Sequence, residues 1–369
     1  MLKRVHALFS INYSWFTALL SVLCILITSC NPPAEDRRGQ ATTSYAKHFT
    51  IEEKRDSLII HIQQPWLGGQ LTTIAVSKHP NPIRLAPLSS SFIGFLDALS
   101  CIDSVVAVES RAFIYNQRLN ERIAKGLTRE IGGEAQQNTE KLIACKPTHI
   151  CISGGPGGGS SFAALKGLGT VVVPVLDWQE EHPLGRAEWI KVFGALCGKY
   201  REACLLFDAI SERYLNLAKI PKDSAKSPTV VLGYHYQGSW YLPGGKSFVA
   251  TLLRDAGFAY ALSQNNETAS VSWSFEQVVS QFLKADIWLN PGLCKRYPDL
   301  LALDTRYLQF AAVQHKAVFN NTRLMNDAGG NAFWEEAPVA PDKYLADLIE
   351  IRKYGAQARS LYFYQGLSE

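Results

Sequence analysis

The chain has 369 residues, of which 47% are hydrophobic and 19% are charged, and its formal net charge at pH 7 is +4. This composition is typical of a globular protein, and the lack of a long basic tract argues against nucleic acid as a partner. Beyond the N-terminal segment about 340 residues remain, which is too many for one compact core and favours two lobes.

The N-terminus has the pattern of an export signal. Lys3 and Arg4 precede an apolar, uncharged run at residues 15–29, which is too short and wrongly flanked for a lasting membrane span. The small residues before Cys30 resemble the bacterial lipoprotein box, in which the cysteine is lipidated and becomes the new N-terminus. We therefore predict a signal peptide at residues 1–29 and a polar, flexible tether at residues 30–46. A signal anchor with a chance cysteine is the alternative.

Strand and helix patterns alternate along a predicted N-terminal α/β lobe, residues 47–198. Alternating or β-branched apolar runs predict the strands, and serine, threonine or asparagine residues precede the helical patterns. The predicted strands are residues 48–62, 71–76, 83–88, 105–109, 148–153 and 170–176, and the predicted helices are residues 92–99 and 140–145.

A glycine-rich loop follows the strand at residues 148–153. It fits the dinucleotide-binding fingerprint at Gly155 and Gly157, but Ser160 replaces the third glycine. Ser160 also stands where a phosphate-binding loop needs lysine. Because open α/β sheets place ligands at the carboxyl ends of their strands, we interpret this segment as a ligand loop. A flexible loop without a binding role is the alternative.

Beyond residue 220 the sequence repeats this plan. The predicted strands are residues 230–234, 258–262 and 286–289, and the predicted helices are residues 248–256 and 275–283. Gly257 suits the end of the first helix, and Ser274 suits the beginning of the second. Aligning the two halves places Glu140 opposite Glu276. This internal duplication predicts an α/β fold with a mainly parallel sheet in each lobe.

One long helix is predicted at residues 199–220, where apolar residues recur at helical spacing and no glycine or proline intervenes. A helix of this length spans about 30 Å, which is enough to link the N-terminal lobe with a C-terminal α/β lobe at residues 221–369. A surface helix confined to the first lobe is the alternative.

The cysteine and histidine patterns argue against a metal site. Six cysteines follow Cys30, none of them in C-x-x-C spacing, and the histidines form no pair at ligand spacing. Apolar neighbours favour buried, inert thiols, although the sequence leaves open whether any of them form disulfides.

Three further segments carry a resemblance to a known family: EHPLGRAEWI at residues 181–190, SWYLPGGKSFVATLLRD at residues 239–255 and LYFYQGL at residues 361–367. With the lipoprotein box, the two lobes and the linking helix, they resemble the metal-chelate class of periplasmic substrate-binding proteins of ABC importers, in its Bacteroidetes-type lipoprotein branch. The resemblance covers most of residues 80–365. It implies one rigid helix between the lobes, a ligand cleft between them, and no catalytic residue.

The resemblance also implies the ligand and the partners. The ligand would be a ferric siderophore-type chelate, with cobalamin or haem as alternatives, and no cofactor is expected. The partners would be the permease and ATPase complex of the importer. The protein would be a periplasmic monomer, held to a membrane only through a lipid on Cys30. The identity of the chelate and of the membrane stays open, and an extracytoplasmic enzyme on the same fold is a distant alternative.

Two sets of site residues follow from the resemblance. Glu140 and Glu276 would dock against arginines of the two permease subunits, and the alternative is that both are first-turn acids favoured by the helix dipole. The predicted ligand contacts are Tyr115, Gly157, Ser160, Trp178, Trp240, Tyr241, Arg323 and Trp334. Flat aromatic faces suit a ring-rich chelate, loop N–H groups suit its acceptors, and arginine suits an anionic one. Each tryptophan has lobe packing as its alternative role.

Overall fold

In the computed structural model, the described residues are 43–64, 68, 70–79, 82–132, 139–155, 169–220 and 227–369. They belong to a single unit, Ala41–Glu369. The predicted signal peptide, Cys30 and nearly all of the predicted tether lie outside these residues.

We number the strands in the order in which they occur along the chain. They are β1 Phe49–Glu53, β2 Ser57–Gln64, β3 Gln70–Ser77, β4 Leu85–Pro87, β5 Ala107–Val108, β6 Arg129–Glu130, β7 His149–Ser153, β8 Val171–Val175, β9 Val230–Leu232, β10 His235–Tyr236, β11 Ser239–Pro243, β12 Ser270–Trp273, β13 Ile287–Leu289, β14 Val318–Asn320 and β15 Gln365–Gly366.

The helices are numbered in the same way. They are α1 Ser90–Ala98, α2 Gln117–Ala124, α3 Thr139–Ala144, α4 Pro183–Glu188, α5 Ile190–Leu196, α6 Tyr200–Ala218, α7 Phe248–Ala256, α8 Phe275–Phe282, α9 Tyr297–Leu303, α10 Ala311–Gln314, α11 Ala332–Glu336 and α12 Pro341–Tyr354. We call the described residues before α6 the first half and those after it the second half.

Parallel pairing dominates the central sheets of both halves. In the first half β4, β7 and β8 form a parallel sheet, and β5 pairs in parallel with β6. In the second half β9, β13 and β14 are parallel, and β15 adds an antiparallel edge to β14. The predicted α/β class with mainly parallel sheets is therefore confirmed, and the carboxyl ends of the strands lie together at one edge of each sheet.

An antiparallel sheet of β1, β2 and β3 precedes the parallel sheet of the first half. Its strands alternate as the sequence predicts, and Phe49 on its buried face packs 4.7 Å from the Trp189 ring, measured between centroids. The chain just before β1 is held by two buried carboxylates. Glu188 accepts the backbone N–H groups of residues 44–46, at 2.8–2.9 Å. Glu180 accepts those of residues 47 and 48, at 2.8 and 3.3 Å.

Helix α6 is the predicted long helix, and its 19 residues span roughly 28 Å at about 1.5 Å per residue. Near its start it lies against α5, where Gly194 leaves room for the methyl group of Ala203. Near its end the Tyr214 hydroxyl donates to Asp255 at 2.7 Å, and Arg213 donates to Asp342 at 2.6 Å. Both acids belong to the second half, so α6 contacts both halves.

A second connection between the halves joins α1 to α11. A Cβ atom at Gly94 would lie 1.8 Å from the carbonyl oxygen of Glu335, so only glycine fits there. The buried Glu335 carboxylate accepts the backbone N–H groups of Tyr115 and Asn116, at 2.5 and 3.0 Å. Asn326 donates to the carbonyl oxygen of Ile114 at 2.8 Å. These contacts fix α11 and the loop before it against the first half.

The predicted helix boundaries around residue 257 and residue 274 are confirmed. Gly257 ends α7 in the left-handed conformation, with φ of 89°. Ser274 begins α8 with a capping box that Gln277 completes. Ser89 begins α1, but its hydroxyl bonds the Ser91 hydroxyl rather than a helix N–H.

The predicted strand at residues 258–262 is wrong. Ala259 makes a single bridge to Thr229, and the chain then turns, with Ser263 donating to Tyr260 and Asn265 donating to Leu262. Gly245 packs against the carbonyl oxygens of residues 262 and 265, and this contact accounts for the turn in an otherwise apolar run.

The cysteines of the described part of the chain are all free thiols. Burial raises the pKa of the Cys151 thiol to about 12, which makes it unreactive at neutral pH, as predicted for a cysteine in an apolar run.

We expect Glu188→Ala to lower the free energy of unfolding by about 3 kcal/mol. It leaves the buried N–H of Ala46 and the part-buried N–H groups of residues 44 and 45 without an acceptor, and it removes the ion-pair partner of Lys191. Urea denaturation followed by fluorescence measures this loss. The matched control is Glu181→Ala, which removes only an exposed ion pair with Lys47 and should cost less than about 1 kcal/mol. Equal losses in the two variants would contradict this role of Glu188.

Candidate ligand-binding site

The carboxyl ends of the parallel strands border two cavities. The first, which we call the acidic cavity, has a volume of about 180 Å³ and lies where β4, β5 and β7 end. Its polar lining consists of the hydroxyls of Ser89, Ser90, Ser110 and Ser153 and the carboxylate of Glu109. Phe113, on the turn after β5, adds an exposed aromatic face.

The second cavity, which we call the aromatic cavity, has a volume of about 200 Å³. Gly233 and Asn290, which follow β9 and β13, line it together with Tyr241 on β11 and Trp334 on α11. Pro183 and Arg186 on α4 complete it from the first half. The cavity therefore takes residues from both halves, as a cleft between two lobes would.

Two large aromatic side chains of this cavity remain accessible. Tyr241 is 55% exposed and Trp334 is 53% exposed, although each belongs to a well-packed element. Trp334 is supported from behind by Phe333, whose ring centroid lies 5.0 Å away at an interplanar angle of 82°. Rigid, half-exposed aromatic faces of this kind suit an apolar or planar ligand group.

The charge of Arg186 is balanced within the protein. Its guanidinium donates to the buried Asp177 carboxylate at 3.0 Å and lies 4.5 Å from the centre of the Phe248 ring. The side chain is only 16% exposed. The residues that line the aromatic cavity therefore offer apolar and aromatic surface rather than a free charge.

Of the predicted ligand contacts, the structure brings Tyr241 and Trp334 together in the aromatic cavity. Tyr115 lies instead in a groove with Arg111 and Asp327. Trp178 is partly exposed beside the end of β7, where its indole N–H donates to the carbonyl oxygen of Gly154 at 3.1 Å.

Three other predicted contacts are Arg323, Gly157 and Ser160. Arg323 is exposed, and its backbone N–H bonds the carbonyl oxygen of Phe363, but its side chain lines neither cavity. Gly157 and Ser160 lie outside the described residues.

The predicted contact of Trp240 with a ligand is wrong. Trp240 is 0% exposed, its indole N–H donates to the carbonyl oxygen of Leu232 at 2.7 Å, and its ring lies 5.5 Å from that of Trp288. Successive side chains of a strand point to opposite faces, so Trp240 and Tyr241 on β11 cannot both face the cavity. Trp240 therefore has the alternative role, packing in the core of its half.

Sequence reasoning missed Glu109, Phe113 and Arg186. Glu109 ends the predicted strand at residues 105–109, so the rule that ligands bind at the carboxyl ends of parallel strands could have singled it out. Arg186 belongs to the family-like segment at residues 181–190. Nothing local marks it as a lining residue, because its position depends on the contact between α4 and the second half.

The two acids predicted to dock on a permease are both exposed. Glu140 lies in the first turn of α3, and Glu276 lies in the first turn of α8. Hydrogen bonds from its own backbone N–H and from Ser274 lower the pKa of Glu276. A negative charge at the N-terminus of a helix is favourable in itself, so these positions agree with both alternatives, stabilisation by the helix dipole and docking on a permease.

Within the described residues, no cluster of three or more histidine, cysteine, aspartate or glutamate side chains is arranged to hold a metal ion. In the same part of the chain, no helix has the length and apolar character needed to cross a membrane.

The comparisons with known proteins agree with this architecture. The periplasmic binding protein family matches residues 86–322, and the chain belongs to that family. The prediction of a binding protein rather than an enzyme is confirmed at the level of the family.

One curated relative is an uncharacterised lipoprotein of Methanocaldococcus jannaschii, 26% identical over 275 residues. The match covers 73% of this chain and 64% of the relative, so the chain spans somewhat less than two thirds of that protein.

Two solved structures show the same fold. A periplasmic haem-binding protein from Pseudomonas aeruginosa is 17% identical, with a TM-score of 0.57, and the match covers 78% of this chain and 98% of that one. An ABC-type Fe³⁺-hydroxamate transport protein from Saccharomonospora viridis is 18% identical, with a TM-score of 0.54, and the match covers 74% of this chain and 96% of that one.

We expect the contribution of Glu335 to stability to fall as the pH rises from 5 to 8, because burial raises the pKa of this carboxyl group to about 8, although hydrogen bonds from two backbone N–H groups lower it. The unfolded carboxyl group loses its proton near its ordinary pKa of 4.5, so above that pH the folded state binds more protons than the unfolded state. The contribution is on the order of 2–4 kcal/mol over this range.

Urea denaturation at several pH values tests this expectation. The Glu335→Gln variant should show a flatter dependence of the unfolding free energy on pH, whatever its absolute stability. The control Glu212→Gln changes an exposed acid on α6, which is not among the groups that shift the pKa of Glu335, and should keep the wild-type slope. An unchanged slope in Glu335→Gln would show that this carboxyl group does not titrate with folding.

Proposed function

We propose that the protein captures a metal chelate outside the cytoplasm and delivers it to an ABC importer. The observation that carries this proposal is the aromatic cavity, whose exposed Tyr241 and Trp334 face a space lined from both halves. Membership of the periplasmic binding protein family supports a binding role. The names of the similar structures, a haem-binding protein and an Fe³⁺-hydroxamate transport protein, support a chelate as the ligand.

The mechanism we propose is binding to a largely preformed cleft. Helix α6 and the contact between α1 and α11 hold the two halves, so binding energy is not spent on closing a wide hinge. The ligand places an apolar or planar group against Trp334 and Tyr241. A ferric siderophore is the favoured ligand, and haem or cobalamin would use the same aromatic faces.

We also propose that a lipid on Cys30 anchors the protein to a membrane and that Glu140 and Glu276 engage the permease. The relative from Methanocaldococcus jannaschii is named as a lipoprotein, which supports the anchor. The first-turn positions of the two acids leave both carboxylates accessible to guanidinium groups, which form charge-assisted hydrogen bonds.

Ligand binding is tested by titrating the purified protein with ferric siderophores, haem and cobalamin and following tryptophan fluorescence. We expect Trp334→Ala and Tyr241→Ala each to weaken binding of the chelate about tenfold or more, because each removes a stacking face. Both side chains are half exposed, so thermal stability should change little.

Tyr354→Ala serves as the matched control, since Tyr354 is a comparably exposed aromatic residue at the end of α12 that lines neither cavity. If both Trp334→Ala and Tyr241→Ala bind the chelate with wild-type affinity, the aromatic cavity is not part of the binding site.

Docking is tested by uptake of the radiolabelled chelate into cells. The double variant Glu140→Ala with Glu276→Ala should abolish uptake and leave the dissociation constant of the chelate unchanged. The control Glu121→Ala with Glu267→Ala removes one exposed acid from each half and should transport normally. Lost affinity in the first double variant would instead place those acids in the ligand site.

A further inference from the structure

The acidic cavity contains an uncompensated carboxylate. Among the described residues that line it, Glu109 is the only charged one. Its carboxylate is partly buried and makes no hydrogen bond or ion pair within the described part of the chain. Burial raises the pKa of Glu109, and no neighbouring cation lowers it. A half-buried carboxylate without a partner is unfavourable unless something else satisfies it.

Three described arginines of the first half, each close in sequence or on a neighbouring element, are already engaged or face other spaces. Arg111 lies two residues further on, but it lines the groove with Tyr115 and Asp327, and its guanidinium donates to Asn120 at 3.1 Å. Arg84, just before β4, donates to the carbonyl oxygens of residues 145 and 146, at the amino end of the strands. Arg186 is paired with Asp177.

The remaining polar lining also accepts hydrogen bonds. Serine hydroxyls at positions 89, 90, 110 and 153 line the cavity. Ser89 already bonds the Ser91 hydroxyl and Ser110 accepts from the Ala112 N–H, but each hydroxyl oxygen can accept from a further donor. An anionic group placed here would meet the Glu109 charge in a poorly solvated space, where repulsion is stronger than in water. A protonated amine would form a charge-assisted hydrogen bond with the carboxylate.

We infer that the acidic cavity is a subsite for a cationic group, and that the ligand is a chelate carrying a protonated amine at one end. This inference rests on the proposed function and narrows it, because it excludes polyanionic ferric catecholates as the preferred ligand. The predicted Arg323 contact suits an anionic chelate, whereas Glu109 favours a cationic one. Glu109 then determines specificity by the charge of the ligand, while Trp334 and Tyr241 contact its apolar part.

A matched pair of ligands tests the inference. Ferrioxamine B is a linear ferric trihydroxamate with one protonated amine, and its N-acetylated form keeps the same metal centre but lacks the charge. We expect the wild-type protein to bind the amine form about ten- to a hundredfold more tightly, as for a hydrogen bond between charged groups. A ferric tricatecholate, with a net charge of −3, should bind more weakly than either.

In Glu109→Gln the preference for the amine should shrink to less than about threefold, while the acetylated form should keep its wild-type affinity. Glu121→Gln, an exposed acid on α2, is the control and should keep the full preference. The Glu109→Gln change removes a partly buried charge that has no described partner, so we expect the variant to fold, and a thermal melt checks this.

The outcomes separate this inference from the proposed function. Equal binding of the two hydroxamates by the wild-type protein, or tighter binding of the tricatecholate, overturns the inference alone, and neither result depends on a variant that folds. A preference that persists in Glu109→Gln also overturns it. Binding of none of these chelates, nor of haem or cobalamin, overturns the proposed function and the inference with it.

Discussion

The close approach of helix α11 to helix α1 at Gly94 is the constraint on which the cleft depends. Any side chain at this position would collide with the Glu335 backbone, and the Glu335 carboxylate holds two N–H groups of the first half. Helix α6 makes the second connection through Tyr214 and Asp255. The contact of α4 with the second half, where Arg186 lies against Phe248, adds to these two connections, and contacts at several places oppose both opening and twisting. These connections support the proposal of a largely preformed cleft.

The two cavities differ in what they can recognise. One presents indole and phenol faces with its only arginine neutralised, whereas the other presents a carboxylate among serine hydroxyls. A ligand that fits both must be apolar or planar at one end and positively charged or rich in hydrogen-bond donors at the other. The polar lining of the acidic cavity comes mostly from residues that end or follow strands, whereas the aromatic cavity takes Trp334 from a helix and Tyr241 from within a strand.

The order of elements was largely predictable, whereas the orientation of side chains was predictable only where a local rule applied. Gly257 and Ser274 followed capping rules, and both rules held. Trp240 and Tyr241 are neighbours with equal aromatic character, and only strand alternation together with the position of the core decides which one faces the cavity. The turn at residues 261–264 depends on Gly245, which is distant in sequence, and Arg186 lines the aromatic cavity because of a contact between the halves. No local sequence pattern predicts such contacts between residues that are distant in sequence.

The five backbone N–H groups held by Glu180 and Glu188 have a mechanical consequence. A pull on the polypeptide ahead of Thr43 would load the bonds of the Thr43 hydroxyl to the carbonyl oxygens of Ala46 and Phe49, and with them the several hydrogen bonds to these two carboxylates. Glu188 is the last residue of α4, the helix that also carries Pro183 and Arg186. Tension in the leading segment would therefore be borne directly beside the wall of the aromatic cavity, and would not be dissipated along the outer strands β1–β3.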